Sequence, residues 1–366
     1  MPVPFVPGLD LAGAFFAEVV RPLLDEAFPR LSYAAALLGP GSEVLGYDSA
    51  RSTDHDWGPR LQLLLTAGAA GRRAAEISAM LGSRLPAEFR GYPTAFPVTS
   101  EPDGLARPRI EVAELGPWLT GQLGFDPSQS ATVTDWLATP TQRLAEFAGG
   151  RVLHDGTGDL SRARARLSWY PRDVWLYVLA CQWQRIGQEE AFPGRCAEAG
   201  DELGSAIVTA RLARDLMRLC LLMHRRYPPY SKWLGTAFAR LPAAAALTAP
   251  LTAAVAATSW PDRQRHLSQA YAAAATLHNE LGVTRPLDTG TRRYYDRPYQ
   301  VIDAGRFAAA LRQAIADPQV RRLPATGAVD QFIDSTDALG STGFLRAAVT
   351  AAAQPAAAGQ PATAGP

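Results

Sequence analysis

The stretch Gly39-Pro-Gly-Ser-Glu-Val-Leu-Gly-Tyr-Asp-Ser-Ala-Arg-Ser-Thr-Asp-His-Asp-Trp57 contains the most informative spacing in the chain. A Gly-Ser step at Gly41 and Ser42 is followed, after eleven residues, by Asp54 and Asp56. Carboxylates two positions apart on extended chain project to the same side, where they repel each other unless a cation lies between them. Because hard oxygen ligands suit Mg²⁺ or Mn²⁺, the pair predicts a divalent-metal site.

Apolar runs beyond this stretch predict a sheet that would support the site. Residues 33–39 and 61–65 are short apolar runs bounded by turn-forming residues, as buried strands are, and residues 109–113 alternate apolar with polar. Glu111 lies in the last run, and a third carboxylate on a neighbouring strand would complete a two-metal site. The alternative is that Glu111 is the polar side of a half-exposed strand.

The hydrophobic pattern of the sequence changes near residue 116, where helical periodicity replaces strand-like runs. We predict an α+β N-terminal domain with a small mixed sheet over residues 1–125 and an all-helical domain over residues 126–345. Residues 346–366 are predicted to form a disordered tail, since the end of the chain contains only Ala, Pro, Gly, Gln and Thr. The predicted helices are 8–30, 72–81, 133–148, 160–187, 199–226, 234–247, 262–281 and 304–316.

Composition narrows the class of protein. The 366 residues carry a net charge of +1, which argues against nucleic acid as a partner. No apolar run reaches the roughly 18 residues that cross a bilayer, and the first residues lack the basic region of a signal peptide. The three cysteines form no Cys-x-x-Cys pair. These features predict a cytoplasmic protein with no membrane partner, zinc site or disulfide framework.

The Gly-Ser step, the spacer, the Asp-x-Asp pair and the later strand carboxylate together are similar to the signature of the DNA polymerase beta-like nucleotidyltransferase superfamily. A closer resemblance is to a bacterial family of uncharacterised proteins with a domain of unknown function, related to that superfamily. It rests on residues 41–46, 52–60, 230–233 and 277–279. The resemblance implies Mg²⁺-dependent transfer of a nucleoside monophosphate from a nucleoside triphosphate to a hydroxyl of a small molecule or protein.

The same resemblance assigns roles to single residues. It implies Asp54, Asp56 and Glu111 as catalytic metal ligands, and Gly41 and Ser42 at the nucleotide phosphates. This chain departs from the pattern immediately after the aspartates, where proline interrupts a segment expected to be strand. A catalytically inactive nucleotide-binding or regulatory interaction module is therefore the alternative function.

A second alignment places Ser49-Ala50-Arg51 on the Ser-x-Ala-Arg turn of small transferases. It puts Tyr47 and Asp48 at the Gly-Ser positions, and it adds Arg51 and Ser52 to the expected nucleotide-binding residues. Both alignments keep the aspartate pair in place.

Lys232 is the only lysine in the sequence, which otherwise uses arginine. A compact, flexible ammonium group suits phosphate, so Lys232 is a predicted triphosphate contact from the helical domain. The alternative is a surface lysine beside an aromatic cluster. Two further patterns predict structure: Asp201 should cap a helix, and the Trp and Tyr residues between 169 and 183 should form helical core.

Overall fold

The computed structural model describes residues 4–53, 57–68, 70–97 and 106–353. The chain divides into two compact units: residues 1–131 with 142–169, and residues 132–141 with 170–366. This division differs from the boundary predicted at residue 125. The reason is that residues 142–169 return to the first unit, where they contribute a strand to its sheet.

A four-stranded mixed sheet organises the first unit. The strands within the described residues are β1 (Tyr33–Leu37), β2 (Leu61–Leu65), β3 (Glu88–Phe89), β4 (Tyr92–Pro93), β5 (Ala95–Pro97), β6 (Ala106–Pro108), β7 (Ile110–Glu114), β8 (Arg151–Asp155), β9 (Arg292–Arg293) and β10 (Gln300–Val301). The sheet order is β7-β2-β1-β8; β2 and β7 run parallel, and β1 is antiparallel to both of its neighbours. The predicted small mixed sheet is confirmed, but the prediction that residues 126–345 are all helical is wrong at residues 151–155, because β8 pairs with β1.

The helices lie mostly in the second unit. They are α1 (Gly8–Phe15), α2 (Arg21–Ala27), α3 (Ala70–Arg84), α4 (Leu115–Leu123), α5 (Val133–Ala138), α6 (Thr141–Ala148), α7 (Asp159–Leu167), α8 (Arg172–Glu189), α9 (Phe192–Glu198), α10 (Glu202–Met223), α11 (Ser231–Ala239), α12 (Ala244–Ala256), α13 (Trp260–Glu280), α14 (Gly305–Ala314), α15 (Pro318–Arg322), α16 (Thr336–Gly340) and α17 (Thr342–Ala352). A π-helical segment, Phe16–Val20, joins α1 to α2.

Several predicted helices differ from the observed ones for local reasons. The stretches 133–148 and 160–187 each divide in two at a proline, Pro140 or Pro171, because proline disrupts a helix interior. The second unit is helical except that, among its described residues, β9 and β10 form a two-stranded pair. Helix α17 continues beyond the predicted start of the tail because it buries Leu345 and Val349. Residues 354–366 of the predicted tail lie outside the described residues.

One face of the sheet carries the main core of the first unit. Leu61, Leu63 and Leu65 of β2 are almost completely buried and belong to a cluster with Phe15 of α1 and Ile77 of α3. Side chains alternate along a strand, so the residues between these leucines belong to the other face. The strand β1 is buried along its whole length, as expected for an interior strand.

The second unit is built around α8. Trp183 is fully buried, stacks on Phe307 with ring centroids 4.4 Å apart, and donates a hydrogen bond from Nε1 to Nδ1 of His278. Trp175 and Tyr177 are also buried, which confirms the aromatic core predicted for this helix. The predicted N-cap is confirmed as well: Asp201 accepts a hydrogen bond from the backbone N–H of Gly204 at 2.7 Å.

Candidate nucleotide and metal site

The predicted metal ligands Asp54 and Asp56, with His55 between them, lie outside the described residues. The chain is well anchored directly after them. The Trp57 ring is 4% exposed and stacks on Phe5, with ring centroids 5.8 Å apart.

Asp48 fixes the indole from the other side of the loop. Its Oδ2 atom accepts hydrogen bonds from Nε1 of Trp57 at 3.0 Å and from the backbone N–H of Gly8 at 2.7 Å. In the second alignment Asp48 occupies the serine position of the Gly-Ser step. In the structure its carboxylate joins the start of α1 to the segment that follows the aspartate pair.

Arg51 and Ser52 lie in a short 3₁₀ segment, Ala50–Thr53, that leads into the aspartate pair. The Ser52 hydroxyl accepts a hydrogen bond from the backbone N–H of Ser49 at 3.1 Å, which closes the turn. The Arg51 side chain is exposed. Their predicted role in nucleotide binding stays a prediction.

Gly41 and Ser42 lie in the turn that follows β1, and Gly41 has a φ of +145°, which favours glycine. A Cβ at Gly41 would overlap the Arg60 guanidinium and would approach Oε2 of Glu43 to 2.7 Å. Arg60 donates from Nε to Oε1 of Glu43 at 2.8 Å and from Nη2 to the carbonyl of Pro40 at 2.5 Å. The turn therefore needs a glycine because an ion pair fills the space beside it.

Sequence reasoning missed this ion pair. Glu43 is almost completely buried, with its side chain 3% exposed, whereas the Arg60 side chain is 16% exposed. The only sequence signal was a charged residue immediately before the apolar run of β2. The Arg60 guanidinium also interacts electrostatically with Glu146 of α6. Burial raises the pKa of Glu146, and hydrogen bonding to Gln142 and the positive charges of Arg143 and Arg60 offset part of that rise.

Gln62, the polar residue within β2, connects this turn to the sheet. It is 8% exposed; its Oε1 accepts from the backbone N–H of Leu38 at 3.0 Å, and its Nε2 donates to the Leu38 carbonyl at 3.2 Å. Glu111 of β7 is the register partner of Gln62. Glu111 is exposed and lies on the face away from the helix-covered core, because Ile110 and Val112 on either side pack against that core.

The topology brings three of the predicted features to one end of the sheet. Since β1 is antiparallel to β2, and β2 is parallel to β7, the end of β1 lies beside the starts of β2 and β7. The turn with Gly41 follows β1, the segment after Asp56 enters β2, and Glu111 lies near the start of β7. Neighbouring strands are about 4.8 Å apart, so Glu111 and the entry to β2 are close in space.

Lys232 belongs to the second unit, in the first turn of α11. Its side chain is exposed, and Nζ lies 4.9 Å from the centroid of the Trp233 ring. This contact fits a surface lysine beside an aromatic residue as well as it fits a lysine held ready for phosphate. The proposed phosphate contact stays a prediction.

The described residues contain no group of three His, Cys, Asp or Glu side chains placed to hold a metal ion. Of the predicted ligand set, Glu111 alone lies within the described part of the chain. No hydrogen bond or ion pair from a described residue occupies its carboxylate, so it is chemically suited to bind a hard cation.

Comparisons with known proteins agree with the resemblance found in the sequence. Residues 136–234 match the family model described as Domain of unknown function (DUF4037). No protein with curated annotation matches the chain. Among solved structures, the chain is similar to a nucleotidyltransferase-like protein from Exiguobacterium sibiricum 255-15, with 11% identity and a TM-score of 0.32, over 79% of this chain and 83% of that one. The expected resemblance to a family with a domain of unknown function is confirmed by the match over residues 136–234.

No helix within the described residues has both the length and the apolar character needed to cross a bilayer.

Proposed function

We propose that the first unit is a nucleotidyltransferase module that binds a nucleoside triphosphate with a divalent cation at the end of the sheet where β2 begins. The observation that carries the proposal is the convergence of the Gly41 turn and Glu111 on either side of the strand that Asp54 and Asp56 precede. Separate carboxylates at the ends of adjacent strands are the ligand set that metal-assisted phosphoryl chemistry needs.

In this reaction Asp54, Asp56 and Glu111 would hold Mg²⁺, or Mn²⁺, which supplies neutralising charge to the phosphate oxygens when bound. The acceptor hydroxyl oxygen attacks the α-phosphorus, and the bond from that phosphorus to the pyrophosphate oxygen breaks. Glu111, or water near it, takes the hydroxyl proton. The acceptor is a small molecule or a protein side chain.

Arg60 is a further candidate for contact with the phosphates. Its guanidinium lies against the Gly41 turn, and one of its hydrogen bonds goes to a backbone carbonyl that a phosphate oxygen could replace. Lys232 of the second unit is the other proposed cation. Arg51 and Ser52 complete the proposed nucleotide contacts.

A non-catalytic nucleotide-binding or regulatory module is the second candidate function, and a specific observation favours it. Residues 57–60, between the aspartate pair and β2, are not strand and contain Pro59, which departs from the superfamily pattern. In such a module the aspartates bind the cation and nucleotide, while Glu111 takes no part.

Nucleotide binding and turnover together separate these functions. The full-length chain is titrated with fluorescent ATP and GTP analogues with and without Mg²⁺, and then incubated with α-labelled nucleotides to detect transfer or pyrophosphate release. We expect Mg²⁺-dependent binding that weakens at least about tenfold in Asp54→Asn/Asp56→Asn. Glu76→Gln, an exposed glutamate of α3, is the matched control.

Binding that is absent, or indifferent to the two aspartates, would contradict the module. Glu111→Gln then decides between the two functions. If the protein is an enzyme, the parent turns over nucleotide and Glu111→Gln does not. If it is a non-catalytic module, the parent and Glu111→Gln bind nucleotide equally well and neither turns it over.

A further inference from the structure

A cavity of about 830 Å³ opens in the first unit at the carboxyl ends of β2 and β7. Its walls come from these strand ends, the start of α4, the loop after α4 and the turn that leads into α7. The volume falls within the range of pockets that bind small organic molecules. It lies at the opposite end of β7 from Glu111, and Glu111 and Glu114 are separated by three residues of strand, or about 10 Å.

Glu114 is the first notable wall residue. It occupies the N-cap position of α4, yet its side chain makes no capping hydrogen bond. Within the described part of the chain, no residue forms a hydrogen bond or ion pair with its carboxylate. The side chain is half-buried. Because no hydrogen bond or ion pair from a described residue occupies it, this carboxylate is available to a molecule in the cavity.

Asp126 stands near the start of α4. Its Oδ1 accepts a hydrogen bond from the backbone N–H of Ser128 at 2.8 Å, which fixes the side chain. Its Oδ2 lies 3.2 Å from the place that a Cβ on Gly116 would take, so this oxygen is directed at the first turn of α4. Glu114 and Asp126 therefore place two carboxylates in the cavity wall from different segments.

The third carboxylate of the wall is already compensated. Asp159 accepts a hydrogen bond from Nη2 of Arg162 at 2.5 Å. The Thr157 hydroxyl and this guanidinium hold the pKa of Asp159 below its usual range. The cavity thus keeps two carboxylates without a basic partner among the described residues.

This lining excludes two classes of ligand. No lysine, arginine or histidine occurs among the described residues that line the cavity, so it would repel a phosphate-bearing molecule. The carboxylates do not form a group placed to hold a metal ion within the described residues. Hydroxyl and amide groups of Thr66, Thr120, Ser128 and Gln129 supply further hydrogen-bonding positions. A polar organic cation satisfies all of these features.

We propose that this cavity binds a small organic molecule that carries at least two ammonium groups, one paired with Glu114 and one with Asp126. Binding of such a cation requires neither a nucleotide nor the residues of the candidate metal site.

Calorimetric titration of the full-length chain with spermidine, at physiological salt and without nucleotide, tests the proposal. We expect saturable binding, and we expect Glu114→Gln and Asp126→Asn each to weaken it at least about tenfold, as the loss of a charged hydrogen bond does. Asparagine keeps an oxygen for the Ser128 N–H, so the loop should hold. Glu76→Gln, an exposed glutamate of α3, is the matched control and should bind spermidine as the parent does.

A second variant tests the cavity itself rather than its charge. Gly121 of α4 lines the cavity, and no atom lies within 4 Å of the place that its Cβ would take. Gly121→Leu should fill the cavity without disturbing the helix, since leucine is a better helix former than glycine. It should abolish spermidine binding while the melting temperature is unchanged or higher.

Hydrogen–deuterium exchange then locates the bound amine. Spermidine should slow exchange in peptides that cover residues 112–129, and sorbitol, a neutral polyol, should not. The proposal is overturned if millimolar spermidine does not bind, or if all variants bind it equally. It is also overturned if Glu111→Gln loses binding while Glu114→Gln keeps it, because that result would place the amine at the candidate metal site.

Discussion

Replacing Arg60 by methionine is expected to open the sheet end that carries the candidate site. The substitution leaves the Glu43 carboxylate, 3% exposed, without the guanidinium that donates to its Oε1. An uncompensated buried carboxylate destabilises a protein by about 3–5 kcal/mol. The same change removes a positive charge that partly offsets the raised pKa of Glu146.

Replacing both partners should cost less than the single change. In Arg60→Met/Glu43→Leu no buried charge remains, and pairs replaced by apolar residues of similar volume are often neutral in stability. The matched control is Arg84→Met. Arg84 pairs with Glu26 at 2.7 Å, a distance close to the 2.6 Å between Arg60 and Glu43. In the Arg84–Glu26 pair, however, both side chains are substantially exposed. We expect little change there, because water screens the pair.

Hydrogen–deuterium exchange of peptides from β1 and β2 is the assay, since it reports local opening without assuming that the two units unfold together. Arg60→Met should raise exchange there roughly 100-fold or more, which corresponds to the lower end of the expected range. If the single and double variants exchange alike, or if Arg60→Met behaves like Arg84→Met, the pair does not hold this end of the sheet.

Two further predictions concern other parts of the chain. Asp48→Ala should destabilise the first unit by about 1–3 kcal/mol, because the Gly8 N–H and the Trp57 indole lose their acceptor. Asp48→Asn should retain most of the stability, since a single side-chain oxygen accepts both hydrogen bonds. Equal melting temperatures for the two variants would contradict this prediction. Burial lowers the pKa of His278 from 6.5 to about 4, so the unfolded chain binds a proton first as the pH falls. The stability of the second unit should therefore decline by about 3 kcal/mol between pH 6.5 and 4 and stay constant in this respect above pH 6.5. Denaturant titrations across this range should show the decline in the parent and a smaller one in His278→Gln; equal slopes would show that His278 is not the group responsible.

The sequence by itself determined the local elements of the fold. Leu61–Leu65 is predicted as a strand because it is an apolar run between polar segments. Asp201 is predicted as a helix cap because an aspartate at this position accepts a hydrogen bond from a backbone N–H of the first turn. The Trp and Tyr residues of α8 likewise predict a helix buried in the core. Each of these signals depends on residues close together in the chain.

The tertiary structure decided what depends on distant residues. The strand β8, which follows residue 150, joins the sheet by pairing with β1. Local composition does not predict this pairing. Arg60 meets Glu43 only because the turn after β1 folds back beside the start of β2. For the same reason Glu114 and Asp126 share one cavity wall although they lie on different segments. Side chains specify their own element through short-range periodicity, but the contacts that build a site are set by sheet order and register.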